Sequence, residues 1–127
     1  RLELDPASRL ERGRAELGVE MLVTVLGNLL DNAIEAVADL PEPDRWVRLY
    51  LNDTGPAAVI CVTDGGPGVS PELRSLIFQD GYSTRRGGRR GFGLALVNLL
   101  VRQAGGQITV EQGPSRFCVT IPMEVEP

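Results

Sequence analysis

Apolar and polar positions alternate with a helical period between Glu20 and Val37, in the sequence EMLVTVLGNLLDNAIEAV. At about 100° per residue, this stretch gathers its apolar side chains on one broad face and its polar side chains on the other. The apolar face comprises Val19, Leu22, Val23, Leu26, Leu29, Leu30, Ala33, Ile34 and Val37. The pattern predicts an amphipathic helix that packs on a core and ends near Asp39.

Most of the remaining apolar runs are short and are bounded by turn residues, as is typical of strands. Five strands are predicted, at Arg1–Asp5, Trp46–Asn52, Ala57–Thr63, Gln107–Glu111 and Arg116–Ile121. The second and third are separated by a short turn, and so are the fourth and fifth. The spacing therefore predicts two β-hairpins.

Two further helices are predicted beside the long one. Ser70 and Pro71 are good starting residues for a short helix that reaches about Phe78. A third helix runs from Gly93 to Ala104 and stops at the following glycines. Hairpins and helices in this order predict an α+β fold, a two-layer α/β sandwich with a mixed sheet and about three helices on one face. The length of 127 residues fits a single domain, 1–127.

Composition excludes several kinds of chemistry. The chain has no His and, with 13 Arg, no Lys. A Walker A loop, a Schiff base and a histidine metal ligand cannot form, so any phosphate chemistry must use Arg, backbone amides and a metal ion. The net charge of −4 argues against nucleic acid as a partner.

The two cysteines, Cys61 and Cys118, each lie in an apolar run. We expect two buried reduced thiols, although a disulfide between them is also possible. The longest apolar run, around Gly91 to Val101, is too short to span a bilayer, so we expect no membrane contact by this domain.

Asn28 and Asn32 are unusual on the polar face of the long helix. Asn is unfavourable inside a helix, because its side-chain amide competes with the helix for hydrogen bonds to nearby backbone groups. Four residues apart, the two amides stack on one face, and hard oxygen ligands of this kind suit Mg²⁺. The alternative is a solvated helix face that happens to hold two Asn.

Asp64 ends the most apolar strand and begins the sequence Asp64-Gly65-Gly66-Pro67-Gly68. A fixed carboxylate there can accept a hydrogen bond from an exocyclic amine such as that of adenine. The glycines would let the backbone approach a flat ring closely. The alternative is a tight turn capped by Asp.

A glycine turn, Gly91-Phe92-Gly93, leads directly into the last helix. A helix N-terminus offers free amides and a positive dipole end to a phosphate chain. The basic and hydroxyl side chains just before it are Ser83, Thr84, Arg85, Arg86, Arg89 and Arg90. A basic loop without a ligand and a nucleic-acid patch are alternatives, but a dinucleotide fingerprint is excluded because no strand precedes the glycines.

Together these motifs describe an ATP site, and the chain resembles the ATP-binding catalytic domain of a bacterial sensor histidine kinase. That domain belongs to the superfamily of gyrase, MutL and heat-shock chaperone ATPases, with the Bergerat-type fold. The sequence Asn28-Leu29-Leu30-Asp31-Asn32-Ala33 resembles the N box, and the Asp64 turn resembles the first glycine box. The F box and second glycine box correspond to Ile77–Arg85 and Gly91–Leu94. The wording LGNLLDNAIEAV is most similar to the citrate and dicarboxylate sensor kinases.

The resemblance implies a role for each matching position. Asn32 would coordinate Mg²⁺, Asn28 would support the metal and the phosphates, and both would be catalytic. Asp64 would bind the adenine amine, with help from Thr120 through water. The remaining ATP-binding positions would be Gly66, Gly68, Ser83, Thr84, Arg85, Gly91, Gly93 and Leu94.

The chain departs from the family pattern at three positions. Gly65 stands where Asn is common, and Arg89 takes the place of the first glycine in the second box. Glu35 stands where many kinases have a phosphate-binding Lys. We expect Arg85, Arg89 or Arg90 to take over that contact.

The implied function is transfer of the ATP γ-phosphate to a histidine on a separate dimerisation domain of the same kinase, with a response regulator as indirect partner. In hydrolysing relatives and anti-sigma serine kinases, a Glu base takes the place of Asn28, and an amide cannot accept a proton. The alternatives are an ATPase or serine kinase of the superfamily, or a degenerate module that only regulates a partner. We expect a cytoplasmic domain that is the C-terminal part of a longer kinase, with the inner membrane as the expected anchor of the parent protein.

Overall fold

The structure is a computed structural model, and it describes residues 2–9, 19–66, 93–111 and 115–122. In chain order, the elements are β1 (Leu2–Leu4), α1 (Val19–Val37), β2 (Val47–Asn52), β3 (Ala57–Asp64), α2 (Gly93–Gln103), β4 (Gln107–Glu111) and β5 (Ser115–Pro122). Each begins within one residue of its predicted start and ends within one residue of its predicted end, except that α1 ends at Val37, two residues before Asp39. A short 3-10 helix, Glu42–Asp44, follows α1 and was not predicted. The predicted helix at 70–78 lies outside the described residues.

The strands form one five-stranded sheet in the order β1-β2-β3-β5-β4. Both predicted hairpins are present, because β2 pairs antiparallel with β3 and β4 pairs antiparallel with β5. The first strand pairs parallel with β2, with Leu2 opposite Val47. The sheet is therefore mixed, and the α+β prediction is confirmed.

Both helices pack on one face of this sheet. The buried side chains of α1 and α2 include Val25, Leu29, Val97 and Val101, and they contact alternate residues of the two central strands. On β3 these are Ile60 and Val62, and on β5 they are Phe117, Val119 and Ile121. Because strand side chains alternate between faces, Cys61 and Cys118 lie on the other side of the sheet.

The apolar face of α1 is narrower than predicted. Val23 is 63% exposed and Ile34 is 51% exposed, although both were predicted to face the core. Val25 is fully buried, although the predicted apolar face does not include it. The packed face is centred near Leu29 and Ala33, and Val23 and Ile34 lie roughly 100–120° around the helix from that centre.

The second helix ends as its glycines predict. Gly105 has a φ of +80°, a conformation that favours glycine. Its amide donates to the Arg102 carbonyl at 3.0 Å, and the Gly106 amide donates to the Val101 carbonyl at 2.9 Å. This pair of bonds satisfies carbonyls that the helix end would otherwise leave open.

The expectation of two separate thiols is corrected by the sheet register. Cys61 lies directly opposite Cys118 on the neighbouring strand, and the two side chains form a disulfide. Register between strands far apart in sequence is not visible in the local pattern. Among the described residues, neither helix is long and apolar enough to cross a membrane.

Candidate nucleotide-binding site

Asp64 is a fully buried carboxylate at the end of β3. Its Oδ1 accepts a hydrogen bond from the Gly66 amide at 2.7 Å. Its Oδ2 is buried and finds no hydrogen-bond partner among the described residues. Burial raises the pKa of Asp64, and hydrogen bonds from the Gly66 amide and the Ser115 hydroxyl act in the opposite direction. The site therefore holds one fixed acceptor oxygen ready for a donor from outside the protein.

Ser115, and not Thr120, is the hydroxyl residue beside Asp64. Ser115 is buried and lies opposite Asp64 in the register of β3 and β5. Thr120 lies opposite Val59, five residues further along β5 and on the other face of the sheet. The predicted assistance of Thr120 to Asp64 is thus wrong in this geometry. When two strands pair antiparallel, the last residue of one lies opposite the first residue of the other. Pairing of β3 with β5 would therefore have predicted Ser115 as the neighbour of Asp64.

The two glycines after Asp64 lie in close contact with their surroundings. A Cβ on Gly65 would overlap the Asp44 carbonyl oxygen and lie 2.8 Å from Trp46 Nε1. The Gly65 amide also donates to the Trp46 carbonyl at 3.2 Å. No side chain fits there, which explains why the chain departs from the Asn that is common at this position.

Asn28 contacts the first residue of α2. Its Nδ2 donates to the Thr24 carbonyl at 2.8 Å, one turn earlier in α1. A Cβ on Gly93 would lie 2.8 Å from the Asn28 Oδ1. The amide oxygen is therefore directed toward the N-terminus of α2, where free backbone amides favour a negative charge. The structure brings these two predicted site residues together.

The other end of the same helix face meets the Asp64 turn. A Cβ on Gly66 would lie 3.7 Å from the Ala36 carbonyl oxygen and 3.9 Å from the Ala36 Cβ. Asn28, Asn32 and Ala36 follow one another at intervals of four residues, so they form one line along α1, here called the asparagine line. Its ends are about 12 Å apart, a span comparable to a nucleotide from base to phosphate.

Asn32 lies between the two contacts and is partly buried. No hydrogen bond joins its side chain to another described residue, so its amide oxygen is available to a ligand. The described residues contain no cluster of three or more Cys, Asp or Glu that could hold a metal ion by itself. A metal ion at Asn32 would therefore need ligand oxygens from elsewhere, as Mg²⁺ commonly obtains from phosphates and water.

The other predicted phosphate contacts are only partly described. Leu94, the second residue of α2, packs its side chain against the core, which leaves its backbone amide for a ligand. Gly68, Ser83, Thr84, Arg85 and Gly91 lie outside the described residues, as do Arg89 and Arg90.

The fold and this site define a nucleotide-binding α/β sandwich. The chain belongs to the family of histidine kinase-, DNA gyrase B- and HSP90-like ATPases, which matches residues 18–125. The family is one of ATPases, and this supports ATP as the nucleotide.

Its curated relatives include the sensor protein CitS of Bacillus subtilis, 42% identical over 98% of this chain. The sensor histidine kinase DcuS of Escherichia coli is 40% identical over 98% of this chain. The chain spans 23% of the length of each. They are named as a sensor protein and a sensor histidine kinase, and this confirms the resemblance of the chain to a sensor histidine kinase catalytic domain.

Solved structures are similar over nearly the whole chain. Full-length ShkA in complex with AMPPNP has a TM-score of 0.75 and 27% identity, and the match covers 98% of this chain and 26% of that one. The catalytic domain of the histidine kinase ThkA has a TM-score of 0.71 and 26% identity, covering 96% of this chain and 76% of that one. The two-layer fold is the one found in histidine kinase catalytic domains.

Proposed function

We propose that the chain binds ATP with Mg²⁺ and donates the γ-phosphate to a histidine on a separate dimerisation domain of the same kinase. The observation that carries this proposal is the asparagine line. One end of it meets the buried carboxylate turn, and the other meets the N-terminus of α2. The proposed base acceptor at the end of β3 and the proposed phosphate site at the start of α2 therefore lie against the same helix.

Each described residue then has a defined task. Asp64 Oδ2 accepts a hydrogen bond from the adenine amine, and Ser115 and the Gly66 amide hold that carboxylate in position. The Asn32 oxygen binds Mg²⁺, which neutralises charge on the phosphates when it is bound. Asn28 and the first amides of α2 orient the phosphate chain.

The residues favour transfer to a histidine over hydrolysis of ATP. Asn28 is an amide that donates its Nδ2 hydrogen to Thr24, so it cannot serve as a general base for water or a serine hydroxyl. A neutral imidazole is already a nucleophile and needs no such base. The chain itself has no His, so the acceptor must belong to another domain.

The names and lengths of the relatives support the wider context. They are named as sensor proteins, and this chain spans about a quarter of each. The domain would then work in the cytoplasm as part of a longer, membrane-anchored kinase that passes phosphate on to a response regulator.

The direct test is phosphotransfer between two purified proteins. The 127-residue chain, γ-labelled ATP and Mg²⁺ are mixed with the histidine-bearing dimerisation domain of the same kinase. We expect label on that domain and almost none on this chain or in free phosphate. Steady phosphate release by the chain alone would instead favour the ATPase or serine-kinase alternative.

The arginine contacts are tested separately. Arg85, Arg89 and Arg90 are each replaced by Ala, and ATP affinity is measured by calorimetry. We expect at least one variant to bind about tenfold more weakly, since a charged hydrogen bond contributes about 1.5–3 kcal/mol. Unchanged affinity in all three would remove these arginines from the phosphate site.

A further inference from the structure

The described face of the sheet opposite the helices contains a cysteine pair that the nucleotide site does not use. Cys61 on β3 and Cys118 on β5 face each other across adjacent antiparallel strands, with their Cα atoms 4.1 Å apart. The two residues are 57 apart in sequence, so only the fold brings them together. Their side chains point away from the helix-packed core, on the side of Thr63 and Val59.

An arginine lies over both sulfur atoms. Arg116 Nε donates to Cys118 Sγ at 3.2 Å, and Arg116 Nη2 donates to Cys61 Sγ at 3.7 Å. A guanidinium at this distance favours the thiolate form of a reduced cysteine, because the positive charge stabilises the anion. The cross-strand neighbours of the pair, Tyr50 and Thr109, contribute no carboxylate that would oppose this effect.

The two cysteines differ in exposure. Cys61 is 3% exposed, whereas Cys118 is partly exposed and has the shorter contact to Arg116. An oxidant in solution therefore reaches Cys118 first, at the sulfur that the guanidinium activates more strongly. Cys61 is the sulfur held in position behind it.

We infer that Cys61 and Cys118 form a reversible, peroxide-sensitive dithiol pair, with Cys118 attacking, Cys61 resolving and Arg116 activating. In the first step, the Cys118 thiolate attacks hydrogen peroxide; an S–O bond forms, the O–O bond breaks and hydroxide leaves. In the second, the Cys61 sulfur displaces the hydroxyl of the Cys118 sulfenic acid, which leaves as water. Overall, two thiols are oxidised to one disulfide and one peroxide is reduced to two waters.

The disulfide joins strands that end at the nucleotide site. Cys61 comes three residues before Asp64 on β3, and Cys118 comes three residues after Ser115 on β5. Oxidation therefore fixes the register of the two strands that hold the buried carboxylate and its hydroxyl partner. The chain between the cysteines is closed into a loop, which constrains the unfolded state and should raise the melting temperature.

The first experiment follows both thiols in the reduced 127-residue chain during treatment with hydrogen peroxide. We expect both thiols to disappear together, the intact mass to fall by two hydrogens, and dithiothreitol to reverse the change. The melting temperature should be higher in the oxidised form. Thiols that persist, or a product that is an intermolecular dimer, would overturn the proposal.

Single variants distinguish the attacking cysteine from the resolving one. In Cys61→Ser the sulfenic acid on Cys118 cannot be resolved, so dimedone should trap it. In Cys118→Ser the remaining thiol, Cys61, is buried, so its reaction with hydrogen peroxide should be slower by a factor of about ten or more. Equal or faster trapping in Cys118→Ser would overturn the assigned order.

The role of Arg116 has a matched control. Arg116→Gln removes the charge and should slow sulfenic acid formation in the Cys61→Ser background by about tenfold, and Arg116→Lys should restore part of the rate. Arg102→Gln removes an exposed arginine on α2 and should leave the rate unchanged. A rate that is the same in Arg116→Gln and Arg102→Gln would remove Arg116 from the mechanism.

Discussion

At the scale of single residues, Asp64 is a buried polar group that the described residues satisfy only in part. Its carboxylate is fully buried, and one of its two oxygens has no hydrogen-bond partner among the described residues. Leaving a buried acceptor unpaired costs about 1–3 kcal/mol. Such a cost is typical of a position kept for a ligand, since an apolar residue of similar size would stabilise the fold more.

Replacing Asp64 by Asn should separate binding from stability. The amide puts a donor where the adenine amine needs an acceptor, so we expect ATP to bind about 10- to 100-fold more weakly, from a loss of about 1.5–3 kcal/mol. Calorimetry measures the affinity. Asp39→Asn removes an exposed charge two residues after the end of α1 and is the matched control, with affinity unchanged.

The same variant tests the pKa of Asp64. Because burial raises this pKa, the folded protein keeps the proton at pH values where the unfolded chain has lost it. The free energy of unfolding should therefore fall as the pH rises from the unfolded value of 3.8 through the folded pKa, and the penalty is complete above it. Urea unfolding across this range should show that loss in the wild type and in Asp39→Asn. It should be absent in Asp64→Asn, and an identical pH profile in all three proteins would contradict it.

At this scale, a site residue could be predicted from the sequence when the residues it contacts are its near neighbours in the chain. Asn28 and Asp64 could be selected as candidate site residues because the stacked amides and the glycine turn are patterns of neighbouring residues. Ser115 was not predicted, because its partner Asp64 lies 51 positions earlier in the sequence and only the register of the sheet brings the two together. Thr120 was predicted on the correct strand, β5, but its side chain lies on the face of the sheet opposite that of Asp64.

At the scale of elements, α1 has a core-packing side and a side that faces the candidate site. One side fills the core, and the asparagine line contacts both the Asp64 turn and α2. The period of the sequence predicted both sides, but it placed the margins of the core side wrongly at Val23 and Ile34. Which residues at the edge of a helix face become buried depends on the helices and strands packed against it, and the helical period does not contain that information.

Two valines in one turn of α1 test this packing. Val25 is fully buried and Val23 is 63% exposed, so only the first should matter for stability. We expect Val25→Ala to lower the free energy of unfolding by about 2–3 kcal/mol, from lost burial and a residual cavity. Val23→Ala should change it by less than about 0.5 kcal/mol. Urea denaturation decides, and similar losses in both variants would contradict the described rotation of α1.

Two glycines test the contact between α1 and α2. In Gly93→Ala, the new Cβ would force the Asn28 amide to move, and that amide is the flexible end of a side chain. Stability should change little, whereas affinity for ATP with Mg²⁺ should fall about tenfold. Calorimetry and thermal unfolding on the same samples measure both effects.

Gly27→Ala is the matched control, because a Cβ there meets nothing within 4 Å. It should raise the free energy of unfolding by about 0.5–1 kcal/mol, since Ala favours helix, and leave affinity unchanged. If the two alanines affected ATP binding equally, the contact between Asn28 and Gly93 would have no role in the site.

At the scale of the whole molecule, the five-stranded sheet brings together segments that are far apart in the sequence. Its hairpins could be predicted because their strands are close in sequence, and the α+β class followed from them. Two long-range pairings could not be predicted: β1 alongside β2, and β3 alongside β5. The second of these creates both the Asp64–Ser115 contact and the Cys61–Cys118 pair.

We propose that one nucleotide extends along the asparagine line from Asp64 to the N-terminus of α2. Isothermal titration calorimetry of the chain with ATP, in the presence and absence of Mg²⁺, tests this proposal when it is repeated on Asp64→Asn and Asn32→Ala. We predict one site per chain that binds more tightly with Mg²⁺. The Asp64 variant should lose affinity under both conditions, and the Asn32 variant should lose mainly the gain from Mg²⁺. Binding that is absent, or that is indifferent to both residues and to the metal ion, would contradict the claim.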